Sequence, residues 1–313
     1  MKVVIISGPT ATGKTDSSIE LARKFGGEIV NFDSLLLYKE ISIGTAKPTP
    51  LEQGEISHHM IDVASIANPL NAADYAKMAL PIIQKLHNEN KIVYIVGGSG
   101  FYLQALLKGM YDSPTTPSEI VEKSEQLYRT EGIIPFIEVL KKEDTLSYSR
   151  YHHNDHYRIR RAVEHFWTTG TALSNERAKK DEENEGRIDS NAHGWDTLHL
   201  HLDMPKEEHF EIIQRRTSNM LSKGLISEVQ SLLDQGFSGL EKPLQSIGYK
   251  EALDLHFGVF KNIEECRERI IISTRQLAKS QRTWFKRILD KETFHPIYQK
   301  TLIADVLNKF LTL

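Results

Sequence analysis

The chain has 313 residues, of which 40% are hydrophobic and 26% charged, with a formal net charge of −3 at pH 7. These values are typical of a soluble globular protein with one large or two modest domains. No apolar run approaches the roughly 20 residues needed to cross a bilayer, and no signal-peptide pattern is present, so we expect a cytoplasmic protein without membrane association. The single cysteine, Cys266, excludes a disulfide framework and a cysteine-based zinc site. Nucleic-acid binding would require local clusters of basic residues.

Strand and helix signals alternate in the first third of the chain. The apolar patterns predict strands at 3–7, 28–32 and 91–96, and helices at 16–25 and 71–87. Pro81 is expected to kink the second of these helices. Strands separated by helices indicate βαβ units, and therefore a parallel sheet.

A phosphate-binding motif lies between the first predicted strand and helix. The eight residues that match G-x-x-x-x-G-K-[ST] are Gly8, Pro9, Thr10, Ala11, Thr12, Gly13, Lys14 and Thr15. The glycines allow backbone N–H groups to turn toward a phosphate, and the helix directs its positive end there. Lys14 supplies a cation and Thr15 a hydroxyl for Mg²⁺. The motif predicts polyphosphate binding, without distinguishing a nucleoside triphosphate from a diphosphate ester.

An acidic residue, Asp33, follows the second predicted strand. It lies at the carboxyl edge of the sheet, where ligands bind in parallel α/β proteins. Position alone leaves three roles open: a Mg²⁺ ligand, a general base or a helix N-cap.

The middle of the chain differs from the first third. Residues 113–195 are largely helical in pattern and include an acidic run at 181–185 that predicts a solvated loop. Residues 198–202 predict a strand that returns to the sheet, and 205–313 are mainly helical. We therefore predict an α/β fold with a three-layer, P-loop NTPase-like core and parallel sheet, formed by 1–112 and 196–313. A mostly helical insertion domain interrupts it at 113–195.

The last long predicted helix has two distinct faces. Basic residues recur at spacings of four, three and four, at Arg275, Lys279, Arg282 and Lys286. Because no acid lies between Arg275 and Arg287, the pattern favours contact with phosphates over a merely solvated face. Apolar residues at Ile270, Leu277, Trp284 and Ile288 predict a core-facing seam, with Trp284 in the core rather than stacked on a base.

Further segments extend these patterns in chain order. They are Asp33–Lys39, Ile43–Pro48, His58–Asp62, Gly97–Tyr102, Asn154–Glu164, Ser246–Glu251 and Arg275–Phe285. Together with the phosphate loop, this series resembles the tRNA dimethylallyltransferase (tRNA isopentenyltransferase) family in its bacterial form. Ser99 stands where the family usually has threonine. Ile212 stands where an arginine is expected, so Arg215 or Arg216 would have to serve instead.

The resemblance implies a reaction. A dimethylallyl group passes from dimethylallyl diphosphate to the exocyclic amine (N6) of the adenine 3′-adjacent to the tRNA anticodon, releasing diphosphate. Asp33 would be the general base, and Thr10 could donate a hydrogen bond to the bridging oxygen. Lys14 and the loop N–H groups, with Mg²⁺ at Thr15, would stabilise the leaving group. Arg158 and Arg161, three apart on one helix face, could close over the diphosphate; surface ion pairing is the alternative role for them.

The resemblance also implies partners and contact residues. The partners are dimethylallyl diphosphate and the tRNA anticodon stem-loop, and the family pattern favours a monomer. Leu35, Leu36 and Tyr102 could form an apolar wall for the prenyl chain, although residues of these types are more often part of the core. The residues implied to contact tRNA are Asp33, Ser34, Leu35, Leu36, Ser99, Tyr157, Arg158, Ile159, Arg160, Arg161, Ser246, Ile247, Gly248, Tyr249, Lys250, Lys279, Gln281, Arg282, Thr283, Trp284 and Lys286.

Two other functions fit parts of the pattern. A small-molecule kinase would use the same loop for ATP and Asp33 for Mg²⁺, but it leaves the basic stripe unexplained. An RNA-binding P-loop protein without catalytic activity would bind tRNA and form no covalent product.

Overall fold

The computed structural model describes residues 2–54, 56–109, 116–176 and 189–313. The predicted acidic run at 181–185 and the predicted boundary at 112/113 lie outside them. The chain divides into two compact units, Met1–Gly109 with Ile188–Leu313, and Met110–Arg187. The predicted domain boundaries stay predictions.

Six parallel strands form a single sheet in the order β3-β2-β4-β1-β5-β6. Their bounds are β1 Lys2–Ser7, β2 Glu28–Asn31, β3 His58–His59, β4 Val93–Gly97, β5 Asp196–Leu202 and β6 Glu292–Phe294. The central strand β1 pairs with β4 and β5, so that Ile5 lies between Ile95 and His199. The strands β3 and β6 have two and three residues, too few for a repeating pattern, and the sequence did not predict them.

The helices follow the predicted alternation. They are α1 Lys14–Phe25, α2 Pro50–Gln53, α3 Ala72–Asn88, α4 Gly100–Lys108, α5 Ser118–Glu131, α6 Ile134–Glu143, α7 Thr145–Arg150, α8 His156–Thr169, α9 Lys206–Ser222, α10 Leu225–Asp234, α11 Tyr249–His256, α12 Ile263–Phe285 and α13 Lys300–Thr312. Pro81 lies inside α3, whose helical assignment continues through it.

Alternation along β1 builds a core on each side of the sheet. Val3 and Ile5 pack into one hydrophobic cluster, with residues of α3, α4 and α10–α12. Val4 and Ile6 pack into the other, with α1 and α13. Successive strand side chains point to opposite faces, and burial of both faces explains why the strand is a continuous apolar run.

The second unit has its own core. Helices α5 to α8 enclose a cluster that includes Phe136, Leu140 and Val163. Asp155 caps α8 by accepting the backbone N–H of Arg158 at 3.2 Å. The sequence pattern predicted a mostly helical domain in the middle of the chain, and this unit is helical with a core of its own.

The predicted core-facing seam of α12 is wrong at one position. Ile270 and Ile288 are buried, and Trp284 is half-buried against the same core. Leu277 is instead 39% exposed, whereas the next residue, Ala278, is buried. Spacing along the helix did not exclude Leu277 from the core; the packing of α12 against its neighbours does.

The contact between α12 and α4 gives a test of this packing. A Cβ added at Gly100 would lie 2.2 Å from Cδ2 of Trp284. Alanine for glycine in a helix usually stabilises by about 0.5–1 kcal/mol; here we expect Gly100→Ala to lower the free energy of unfolding by about 1–3 kcal/mol because of overpacking. Urea denaturation measures the change. In a Trp284→Ala background the same substitution should have little effect, and an undiminished loss there would contradict the contact.

Candidate active site

The phosphate loop joins β1 to α1 at the carboxyl edge of the sheet. A Cβ on Gly8 would lie 2.3 Å from the carbonyl oxygen of Leu202, so only glycine permits this close approach to β5. Gly13 has φ of +74° immediately before α1, a left-handed conformation that favours glycine. The loop therefore has the geometry that directs N–H groups and a helix N-terminus toward an anion.

The ammonium group of Lys14 is the cation of the phosphate loop. Its ammonium donates to the carbonyl of Pro9 at 2.7 Å. Burial lowers the pKa of Lys14, the Asp33 carboxylate opposes this effect and Arg216 adds to it, and the resulting pKa is about 8. The ammonium is therefore easily deprotonated unless an anion stabilises it.

Asp33 is held at the end of β2 by a buried side chain. The Asn31 amide oxygen accepts the Asp33 N–H at 2.9 Å, and the amide nitrogen donates to the Met60 carbonyl at 2.9 Å. One oxygen of Asp33, Oδ1, accepts the Leu35 N–H at 3.1 Å. Among the described residues, nothing donates to Oδ2. The residues after Asp33 form a turn rather than an α-helix, so the helix N-cap role is excluded.

Two arginines of α9 lie near the position of Ile212. Arg215 and Arg216 line the same cleft as Ile212 and the phosphate loop. The Arg216 guanidinium donates to Thr10 Oγ1 at 3.3 Å and to the Thr45 carbonyl at 3.2 Å, so Arg216 is the one that contacts the loop. Spacing could not have separated the two, because positions three and four residues apart share a helix face.

These groups surround one cleft of about 550 Å³. It is lined by residues that follow β1, β2 and β3 and by residues from the C-terminal third of the chain. They include Thr10, Lys14, Thr15, Asp33, Leu36, Thr45, Ile61, Ile212, Arg216 and Ile297. The structure thus brings the predicted phosphate loop and the predicted base together in a single cavity.

Two serines join neighbouring loops at this edge. The hydroxyl of Ser99 accepts the Ser34 N–H at 3.1 Å and donates to the Ser34 hydroxyl at 3.3 Å. Serine thus provides the hydroxyl that threonine carries in the resembling family. Leu35 packs against the core, and Tyr102 contacts the Tyr75 ring at 5.1 Å and donates to the Leu70 carbonyl at 3.1 Å, so neither is part of the cleft wall.

Buried residues correct part of the predicted tRNA surface. Tyr249 is 0% and Ile159 2% exposed, so neither side chain has surface for RNA, and Gly248 is buried as well. The Tyr249 hydroxyl donates to Glu228 Oε2 at 2.6 Å and accepts the Gly44 N–H at 3.0 Å. Its role is to support the loop before Thr45. Ser246 and Ile247 are half-buried.

On α8 the predicted contact residues divide into two groups. Tyr157 and Arg158 are exposed, and Arg158 pairs with Asp155 at 3.3 Å. Arg161 pairs with Glu164 at 2.8 Å. Arg160 covers the Tyr128 ring at 4.6 Å and pairs with Glu125 at 2.8 Å, so it helps to hold its own unit together. The diphosphate role of Arg158 and Arg161 stays a prediction.

Some basic residues of the α12 stripe are engaged in contacts within the protein, and others are exposed. Arg282 forms an ion pair with Asp203 at 2.8 Å, which corrects the expectation that the stripe has no acidic partner, because the acid comes from the end of β5. The guanidinium of Arg275 covers the Phe210 ring at 4.5 Å. Lys279 and Lys286 are exposed. The exposed predicted contacts Lys250 and Thr283 also remain available to a partner.

Gln281 faces inward from α12 instead of outward. Its amide oxygen accepts the Thr10 N–H at 2.8 Å, and its amide nitrogen donates to the Gly98 carbonyl at 2.9 Å. Trp284 beside it is half-buried against Gly100. The amide of Gln281 is therefore engaged with the protein backbone rather than free for RNA.

The cleft is compatible with a magnesium ion. The Thr15 hydroxyl lines it and has no hydrogen-bond partner among the described residues. Among all the residues that the structure describes, no three His, Cys, Asp or Glu side chains form a group that could hold a metal ion. A magnesium ion held mainly by substrate phosphates needs only one or two protein ligands, so Thr15 suffices as an anchor.

A parallel sheet with a phosphate loop at its carboxyl edge places the chain in the class of P-loop α/β proteins. A family model, described as "IPPT: IPP transferase", matches residues 36–288. The tRNA dimethylallyltransferase 1 of Trichlorobacter lovleyi is 39% identical over 285 residues, covering 91% of this chain and 90% of that protein. The tRNA dimethylallyltransferase 2 of Geotalea uraniireducens is 36% identical over 287 residues, covering 92% and 90%.

Solved structures agree with these relatives. A tRNA Δ(2)-isopentenylpyrophosphate transferase from Staphylococcus epidermidis has a TM-score of 0.69 and 32% identity, covering 99% of each chain. A eukaryotic dimethylallyltransferase acting on tRNA has a TM-score of 0.77 and 27% identity, covering 99% of this chain and 79% of that one. The chain belongs to the IPP transferase family and is an enzyme of that family, which confirms the resemblance and the predicted fold class. Within the described residues, no helix has the length and apolarity to span a membrane.

Because the pKa of Lys14 is lowered, the affinity for pyrophosphate should depend on pH. With a pKa of about 8, part of the Lys14 population is neutral at pH 8, and a bound polyanion would favour the charged form. Pyrophosphate should therefore bind with proton uptake at pH 8, and its affinity should fall as the pH rises further. Calorimetry in buffers of different ionisation enthalpy measures the uptake.

Lys14→Gln is the matched control for this measurement. Its uptake should be smaller by roughly half a proton at pH 8, which separates Lys14 from the proton chemistry of pyrophosphate itself. Equal uptake by the two proteins would show that the Lys14 ammonium does not titrate with binding.

Proposed function

We propose that the enzyme transfers a dimethylallyl group from dimethylallyl diphosphate to N6 of the adenine 3′-adjacent to the anticodon of tRNA, releasing diphosphate. The observation that carries the proposal is the single cleft lined by the phosphate loop, Lys14 and Asp33. A cationic loop suits the departing diphosphate, and a carboxylate beside it suits the acceptor amine. The names of the relatives support dimethylallyl transfer to tRNA.

The leaving group would be stabilised by donors fixed before it binds. When the carbon–oxygen bond breaks, negative charge develops on the bridging oxygen. Thr10 Oγ1 accepts a hydrogen bond from Arg216, so its own hydrogen remains available for donation to that oxygen. Lys14 and the loop N–H groups would neutralise the rest of the diphosphate. A magnesium ion held through Thr15 would supply further positive charge.

The acceptor amine requires a base because its lone pair is delocalised into the adenine ring. Asp33 Oδ2 would accept the proton as the nitrogen–carbon bond forms, while Oδ1 remains occupied by the Leu35 N–H. Leu36, Ile61 and Ile212 give the cleft apolar surface for the prenyl chain. The adenine must leave the anticodon-loop stack, which costs only a few kcal/mol in a single-stranded loop.

Lys279 and Lys286 are the exposed lysines of the α12 stripe and would contact tRNA phosphates. Because its substrate would be cellular tRNA, the enzyme would act in the cytoplasm, and the family pattern favours a monomer.

The reaction is tested by mass. The protein, Mg²⁺ and dimethylallyl diphosphate are incubated with an anticodon stem-loop RNA, which should gain the mass of one dimethylallyl group only when the target adenine is present. Asp33→Asn should lower turnover by about 100-fold to 10,000-fold by removing the base. Asp305→Asn, at an exposed position of α13, should turn over normally. An unmodified RNA, with phosphate transferred from ATP to a small acceptor, would favour the kinase.

The contribution of the α12 lysines is tested by salt. Lys279→Ala combined with Lys286→Ala should weaken the binding of tRNA regardless of its sequence. It should also reduce the magnitude of the slope of log binding constant against log salt concentration by about 2. Filter binding over a salt series measures this slope. The charge-matched control, Lys24→Ala with Lys85→Ala, changes exposed lysines of α1 and α3 and should leave it unaltered. Equal slopes for the two double variants would assign the stripe to solvent.

A further inference from the structure

Thr10 is held by three side chains from α9 and α12. Its N–H is bound by Gln281 and its hydroxyl by Arg216. Its carbonyl oxygen lies 2.7 Å from Nε2 of His209. The N–H, carbonyl and hydroxyl of Thr10 thus each have a partner on a helix from the C-terminal third of the chain.

The orientation of the His209 ring is fixed on its other side. Nδ1 lies 2.8 Å from Nη2 of Arg282. A guanidinium can only donate hydrogen bonds, so Nδ1 must be the acceptor and carry no proton. The single hydrogen of the neutral ring is therefore on Nε2, where it donates to the Thr10 carbonyl.

Arg282 is in turn anchored to the sheet. Its Nε and Nη2 donate to the Asp203 carboxylate at 2.9 and 2.8 Å. Asp203 directly follows β5, and its N–H donates to the Phe294 carbonyl of β6 at 3.0 Å. A continuous series of hydrogen bonds thus runs from the sheet through Asp203, Arg282 and His209 to Thr10.

We propose that Arg282 and His209 are positioning residues for the diphosphate site, which set the direction of the Thr10 hydroxyl by holding the Thr10 carbonyl from behind. This inference rests on the proposed function, in which Thr10 donates to the bridging oxygen. His209 acts only as the neutral ring with its hydrogen on Nε2, because a second proton on Nδ1 would face the Arg282 N–H. Neither residue touches substrate.

The surroundings of His209 keep its ring neutral. The residue is 2% exposed, and burial lowers its pKa, with Arg282 and Lys14 lowering it further against the opposing effects of the Thr10 carbonyl and Asp203. The exposed cations Lys206, Arg275 and Lys279 line a groove with His209 and Arg282 and add positive charge on that side.

Steady-state kinetics with stem-loop RNA separate positioning from RNA contact. His209→Leu and Arg282→Met should each lower kcat by about 10-fold to 100-fold through misplacement of Thr10, with the Kd for RNA unchanged. His209→Gln keeps an amide donor near the position of Nε2 and should recover most of kcat. Arg267→Met removes another ion-paired arginine of α12, bound to Glu264 at 2.7 Å, and should behave as the unaltered enzyme.

A second readout does not depend on turnover. In ¹⁵N NMR at neutral pH, His209 should show a protonated Nε2 and an unprotonated Nδ1, and Arg282→Met should raise its pKa and mix the tautomers. An unaltered kcat in folded His209→Leu, weaker RNA binding as the sole effect of Arg282→Met, or a proton on Nδ1 in the unaltered enzyme would each overturn the inference. Failure of the proposed function would instead appear as no product from the unaltered enzyme. The NMR result would still show whether the hydrogen bonds from Arg282 through His209 to Thr10 exist.

Discussion

The two hydrogen bonds of the Gln281 amide, to the Thr10 N–H and the Gly98 carbonyl, are the constraint on which the candidate active site depends. They join α12 to the phosphate loop after β1 and to the loop after β4, the strand next to it. A Cβ on Gly98 would lie 2.8 Å from the Gln281 nitrogen, so a larger residue there would displace this amide. The bridge therefore joins the helix that carries the exposed lysines directly to the phosphate loop.

A second set of contacts supports the cleft from the opposite side. Glu228 on α10 accepts the backbone N–H groups of Ser42 at 2.8 Å and Ile43 at 3.0 Å, and Tyr249 donates to the same carboxylate. This loop presents the Thr45 carbonyl to Arg216. Burial raises the pKa of the Tyr249 hydroxyl, and the neighbouring Glu228 carboxylate raises it further, so the hydroxyl stays protonated and able to donate. Arg216 is therefore oriented through two successive sets of hydrogen bonds, from Tyr249 and Glu228 to the loop and from the loop to Arg216.

The arrangement divides α12 into residues with different tasks. Gln281 and Arg282 point inward and hold the phosphate loop, whereas Lys279 and Lys286, only two and four residues away from them, are exposed. Successive helix positions are about 100° apart, so neighbours in sequence face different surroundings. The predicted basic stripe is correct as a surface feature at its lysines, and its arginines serve intramolecular contacts.

Local patterns determined much of this protein. The phosphate loop, the alternating strands and helices and the position of Asp33 after β2 depend on short-range sequence, because backbone torsions, periodicity and strand ends are local properties. The ordered motifs indicated the family. Only the tertiary structure decided which arginine reaches Thr10, that Asp203 neutralises Arg282, that Tyr249 and Ile159 are buried, and that Leu277 of α12 is exposed. These outcomes join residues as much as 206 positions apart, and their geometry follows from packing between elements, which no spacing within a single helix or strand encodes.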